Sequence, residues 1–157
     1  MRKHLFKALP LAILLAGCQS ITGSTSEGMM PSSEAFVSSN DPAYLGREHF
    51  ARGDYALAEQ HFRKAVEQQP SDGPSWVGLA ASYDRLGRFD LADRAYDKAT
   101  QLSGQSFEIL NNRGFSYLLR GDSRQAAVMF SRAKGQRPND PVVSNNLRLL
   151  RTGQDRG

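Results

Sequence analysis

The sequence predicts an all-α solenoid of three helix pairs plus a C-terminal capping helix, preceded by a signal peptide and a flexible linker. Three observations carry this. Small and aromatic residues recur every 34 positions from Asp41 onward, apolar residues inside each copy keep helical spacing, and glycine or proline punctuates the helix ends. A single helix pair cannot bury its own apolar face, so stacked pairs are the architecture that accommodates such a pattern.

The elements follow in chain order. Arg2, Lys3, His4 and Lys7 form a positive region, and Ala8 to Gly17 an apolar run interrupted by Pro10. This predicts a signal peptide over residues 1–17. A spanning helix needs about 20 apolar residues, which neither this run nor any later one supplies. The run closes with Leu15-Ala16-Gly17-Cys18 and resembles the lipobox of bacterial lipoproteins. The resemblance implies cleavage before Cys18, lipidation of its thiol and a tethered, extracytoplasmic chain. The alternative is ordinary cleavage beside an incidental cysteine, but Leu15-Ala16-Gly17 meets the small-x-small requirement poorly.

Loss of the leader changes the charge argument. The chain has 20 basic and 16 acidic side chains and a sequence pI near 9.5. Without Arg2, Lys3 and Lys7 the balance is 17 to 16, so overall charge gives no reason to expect nucleic acid or an anionic surface as partner. With the one cysteine committed to lipid, no thiol remains for a disulfide, a zinc site or a nucleophile.

Residues 18–40 form the lipidated linker, rich in Ser, Gly and Thr and without helical or strand period. A coil of this length reaches about 25 Å. Met29-Met30-Pro31 and Phe36-Val37 are its apolar exceptions, either docking elements or chance.

The repeat domain is expected over residues 41–152, with units at about 39–72, 73–106 and 107–140. Gly53, Gly87 and Gly121 align, as do Ala58, Ala92 and Ala126, then Phe62, Tyr96 and Phe130, then Ala65, Ala99 and Ala133. These columns are similar to the tetratricopeptide pattern. Small residues let two antiparallel helices approach, while the aromatic fills the space between units. Trp76, Leu79 and Tyr83 make the second unit the best formed. The spacing predicts helices near 42–52, 55–68, 74–86, 89–102, 107–120 and 123–136. A seventh, over 141–151, caps the stack with a polar outer face, and residues 153–157 form a polar tail. Three departures stand out: Pro42 replaces a large residue, His49 a tyrosine and Arg113 a leucine. Pro42 suits a first turn, and the Arg113 stem is expected to pack while its head reaches solvent or an acidic neighbour.

No phosphate loop, HExxH, CxxC or GxSxG motif is present. His49 and His61 are read as packing or surface residues, and Asp90 with Asp93, and Asp84 with Asp97, as solvated faces. No enzyme, cofactor or metal site is expected. The first helices of the units instead offer a concave groove. Phe50, Val77, Asn111, Phe115, Leu118 and Asn145 are its candidate partner-binding residues, beside Arg47, Ala81 and Leu119. Leu118 and Leu119 either face that groove or pack beneath the cap. Tetratricopeptide domains that grip a terminal carboxylate carry basic and asparagine residues where this stripe has Val77 and Ala81, so such a clamp is not expected.

Two stretches sharpen the likeness: Asn111-Asn112-Arg113-Gly114-Phe115-Ser116-Tyr117-Leu118-Leu119-Arg120-Gly121-Asp122 and Pro141-Val142-Val143-Ser144-Asn145-Asn146-Leu147. With the lipobox and spacer, the chain resembles the lipoprotein of the tight-adherence (Flp) pilus assembly system, the TadD type. That resemblance implies an outer-membrane lipoprotein facing the periplasm, with Gln19 where an inner-membrane protein would carry aspartate. Its protein partner would be a secretin or another pilus assembly component. The alternative is a periplasmic adaptor for cell-wall hydrolases or for outer-membrane protein assembly.

Overall fold

The computed structural model describes residues 40–154, and the leader, Cys18 and the spacer before Asn40 lie outside the described residues. Seven helices follow one another: α1 (Pro42–Arg52), α2 (Tyr55–Gln68), α3 (Gly73–Arg85), α4 (Phe89–Ser103), α5 (Phe107–Leu119), α6 (Ser123–Gln136) and α7 (Pro141–Gln154). The described residues are all helix and connecting turn. α7 continues past the expected 151, to Gln154.

Local chemistry sets the ends. Asp41 accepts a hydrogen bond from the Ala43 N–H at 3.0 Å, and Pro42 takes the first helical turn, where a missing N–H leaves nothing unsatisfied. Ser106 and Asp122 cap α5 and α6 in the same way, through Ile109 at 3.3 Å and Gln125 at 3.0 Å. The turn inside each pair reverses at Gly53, Gly87 and Gly121, whose φ angles of 84°, 71° and 81° lie in the left-handed region that penalises a Cβ.

α1 packs on α2, α3 on α4 and α5 on α6, while α1, α3, α5 and α7 touch in succession to form one layer. The Phe62 ring sits against Gly46 and Gly78, and the Phe130 ring against Gly114; a Cβ on Gly114 would lie 2.6 Å from Phe130 Cδ1. Ala58, Ala92 and Ala126 are fully buried at the equivalent close approaches. Close packing of this kind tolerates no added methyl group without rearrangement.

The apolar interior forms two clusters. The first joins α2, α3 and α4 through Phe62, Val66, Leu79, Ala95 and Tyr96, with Trp76 and Tyr83 packed at its edge. The second joins α5, α6 and α7 through Phe107, Leu110, Phe130, Val143 and Leu150. Neither crosses from α4 to α5, and the α4–α5 contact is the sparsest of the three joints between successive pairs. Arg113 behaves as its chemistry requires: half-buried, it pairs with Asp97 Oδ1 at 3.0 Å.

Gly114→Ala should cost about 1–3 kcal/mol by overpacking against Phe130. Gly135→Ala, where an added Cβ meets nothing within 4 Å, should instead stabilise α6 by about 0.5–1 kcal/mol. Urea melts of the two variants check this opposition of sign.

Candidate partner-binding groove

Three adjoining cavities line the layer made by the odd-numbered helices. The first, about 330 Å³, lies between α1 and α3 and is bounded by Arg47, Phe50, Val77, Gly78, Ala81 and Asn112. The second, about 420 Å³, lies between α3 and α5 against Pro74, Val77, Ile109 and Asn112. The third, about 170 Å³, has Phe50, Ala81, Asp84, Tyr96, Asn112 and Phe115 in its wall. Shared residues make them one trough. Asn112 borders all three, is half-buried, and its amide makes no hydrogen bond. Arg47 is exposed and unpaired beside it.

The expected groove residues divide. Phe50, Val77 and Phe115 line the trough. Asn111 does not; its Oδ1 accepts a hydrogen bond from Asn146 Nδ2 at 2.9 Å, tying α5 to α7. Leu118 packs on the second apolar cluster beside Leu147, and Asn145 is exposed on α7, outside the three cavities. Leu119 stays 42% exposed, and Leu149 of α7 51% exposed, so the α5 and α7 surface keeps apolar side chains in reach of solvent. Asn112 and Pro74 were missed by sequence reasoning. Their signal lay one column over: Tyr44, Gly78, Asn112 and Asn146 recur at the same 34-residue spacing as the chosen stripe.

Asp84 and Asp93 overturn the reading of these carboxylates as solvated faces. Asp84 is 5% exposed, accepting from Tyr96 Oη at 2.9 Å and from Ser116 Oγ at 2.6 Å. Arg120 grips Asp93 with two bonds of 2.8 and 2.7 Å, donates to Ser116 Oγ at 2.8 Å, and stands 3.9 Å from Asp84. A helical period places these carboxylates on a face but is blind to the hydroxyls brought to Asp84 and the guanidinium brought to Asp93. Asp97 does reach solvent, and Asp90 is exposed at the start of α4. Burial pushes the Asp84 carboxyl up, against the pull of Ser116, Tyr96 and Arg120, and burial together with Asp84 holds the Tyr96 hydroxyl well above its usual range.

This is a cluster of converging polar groups that the sequence had not suggested. Its hydroxyls are spent on Asp84. Ser116 is 1% exposed and already donates its proton to Asp84, so its hydroxyl is not free to act as a nucleophile. His49 and His61 stack on each other at 5.1 Å, with rings 2° from parallel, and line none of the cavities. Burial first, then the charges of His49 and Lys64, lowers the His61 pKa. Among the described residues, no three His, Cys, Asp or Glu side chains converge to hold a metal, and no helix is long and apolar enough to cross a membrane.

Because the folded protein holds Asp84's proton more tightly than the unfolded chain, this group's contribution rises as pH falls through its raised pKa, and its ionised form costs stability at neutral pH. Asp84→Asn removes that titration. The stability of the native chain relative to this variant should therefore decline as pH rises above about 4 and through the raised pKa of Asp84, in paired urea melts.

Comparison with known proteins agrees with this architecture. Family models described as tetratricopeptide repeat match residues 49–101 and residues 77–141. The chain is 29% identical over 113 residues to the cytochrome c-type biogenesis protein CycH of Pseudomonas aeruginosa, covering 71% of this chain and 28% of that protein. It spans only about a quarter of the length of the curated relatives it matches. Among solved structures, Pseudomonas aeruginosa pilF superposes with a TM-score of 0.62 at 26% identity, over 73% of this chain and 52% of that one. The Yersinia enterocolitica type III secretion chaperone SycD, in complex with a peptide of the translocator YopD, shares the fold with a TM-score of 0.59 at 19% identity, over 72% and 92% of the two chains. Helix pairs, aligned columns and matching models lead to one family: from residue 49 to residue 141 this chain is a tetratricopeptide-repeat domain, a protein-interaction scaffold.

Proposed function

We propose that this chain is a non-enzymatic scaffold of the outer membrane, anchored by lipid on Cys18, that holds a segment of a protein partner in its trough. The partner is a secretin or another component of Flp pilus assembly. One observation carries the binding role: an apolar trough along α1, α3 and α5 with the unbonded Asn112 amide at its centre. Apolar walls supply contact area, and the amide offers both a donor and an acceptor to a partner's backbone. Neighbouring helices lie about 8–10 Å apart, so three of them present roughly 20 Å, or about six residues of extended chain.

The pilus assignment rests on the resemblance of the Asn111–Asp122 and Pro141–Leu147 stretches and on the likeness to pilF. The likeness to CycH favours a second reading, in which the same trough serves cytochrome c-type biogenesis. Two variants test these statements. Asn112→Arg, which puts bulk and charge at a half-buried position without a partner, should lower partner capture in crosslinking by about tenfold with an unchanged melting temperature. Cys18→Ser should release the chain from the membrane fraction and lower secretin multimers. Unchanged multimers would overturn the pilus assignment, and undiminished capture by Asn112→Arg would overturn the trough.

A further inference from the structure

The 170 Å³ cavity differs in chemistry from the rest of the trough. Its wall holds Phe50, Tyr96 and Phe115 together with Asp84, whose carboxylate lies just beneath. Two carboxylates among the described residues are buried, and they are treated unequally. Glu59 has Arg63 at 2.5 Å and Arg88 at 3.6 Å. Asp84 has only hydroxyl donors within hydrogen-bond distance, from Tyr96 and Ser116. The nearest cation, Arg120, is 3.9 Å away and bonded twice to Asp93. Two carboxylates thus share one guanidinium, one positive charge short of balance when both are ionised.

Buried carboxylates are ordinarily paired, and a carboxylate oxygen holding one hydroxyl still has a lone pair to offer. Aromatic faces beside such a group add attraction for a cation. Arg85, the other charged side chain of the cavity wall, does not fill this role. Its guanidinium donates to the Tyr55 hydroxyl and lies 4.4 Å over the Tyr55 ring.

We infer that this cavity is a cation subsite that receives one lysine or arginine side chain of the segment held in the trough, its charged head against Asp84 and among the rings of Phe50, Tyr96 and Phe115. The inference rests on the trough being a peptide site and adds what that peptide must carry. The cavity is large enough for one side chain and too small for a helix, so it selects a single basic residue whose neighbours lie along Ala81 and Asn112.

The test uses the isotope-labelled full-length chain and two blocked pentapeptides, acetyl-Gly-Ala-Lys-Ala-Gly-amide and its norleucine counterpart, which keeps the length of the lysine stem and lacks the charge. The lysine peptide should shift the backbone amides of Ala81, Asn112 and Phe115 and bind about tenfold more tightly than the norleucine peptide, a preference that shrinks as salt is raised. Asp84→Asn should bring the ratio of the two affinities to about one. If that variant folds poorly, Phe115→Leu keeps the carboxylate and should lower the ratio about threefold. Equal affinities in the native chain, a preference that survives Asp84→Asn, or shifts confined to other helices would each overturn the subsite. The trough itself is judged separately, by partner capture with Asn112→Arg.

Discussion

The distance between the two helices of a pair governs everything else in this molecule, and it is set where a ring meets a residue without a side chain. Phe62 lies on Gly46 and Gly78, and Phe130 on Gly114, so each ring packs directly on helix backbone with no Cβ between. Once that spacing is fixed, the twist between successive pairs follows from how each aromatic fills the gap to the next unit. The odd-numbered helices then stand side by side with their polar and apolar edges turned to one surface. The trough is thus a by-product of close packing behind it, and substitutions far from any ligand would reshape it.

That packing was legible in the sequence because it is periodic. Gly53, Gly87 and Gly121, and the buried alanine and aromatic columns, recur at one spacing, and a recurrence of that length leaves few architectures open. The trough was legible to within one column. Asn111 and Asn112 are adjacent and identical in type, and only the bond from Asn146 to the first of them shows which amide is left for a partner. Periodicity assigns a residue to a face some 100° wide, and the choice between neighbours is made by contacts with another unit.

The polar seam was not legible at all. Asp84 meets Tyr96 from 12 residues away and Ser116 from 32, and none of the three breaks the pattern of its own helix. Tyr96 occupies the column that Phe62 and Phe130 fill with plain rings, and its hydroxyl is the one atom by which it departs from them. That single oxygen makes room for a buried carboxylate, which in turn draws in Ser116 and, through it, Arg120 and Asp93. A scan for chemical motifs passes over such an assembly, since its members come from three helices: Asp84 from α3, Asp93 and Tyr96 from α4, and Ser116 and Arg120 from the end of α5.

The seam also divides the molecule mechanically. On one side α2, α3 and α4 share an apolar cluster, on the other α5, α6 and α7 share a second, and they meet through the sparse α3–α5 and α4–α5 contacts, which carry the Asp84–Ser116 and Arg120–Asp93 hydrogen bonds. Apolar contact weakens gradually as surfaces slide, whereas a hydrogen bond is lost once its atoms separate by about an ångström. A pull along the stack would therefore meet a brittle joint between two ductile halves, and the force needed to part them is set by a handful of oxygen and nitrogen atoms.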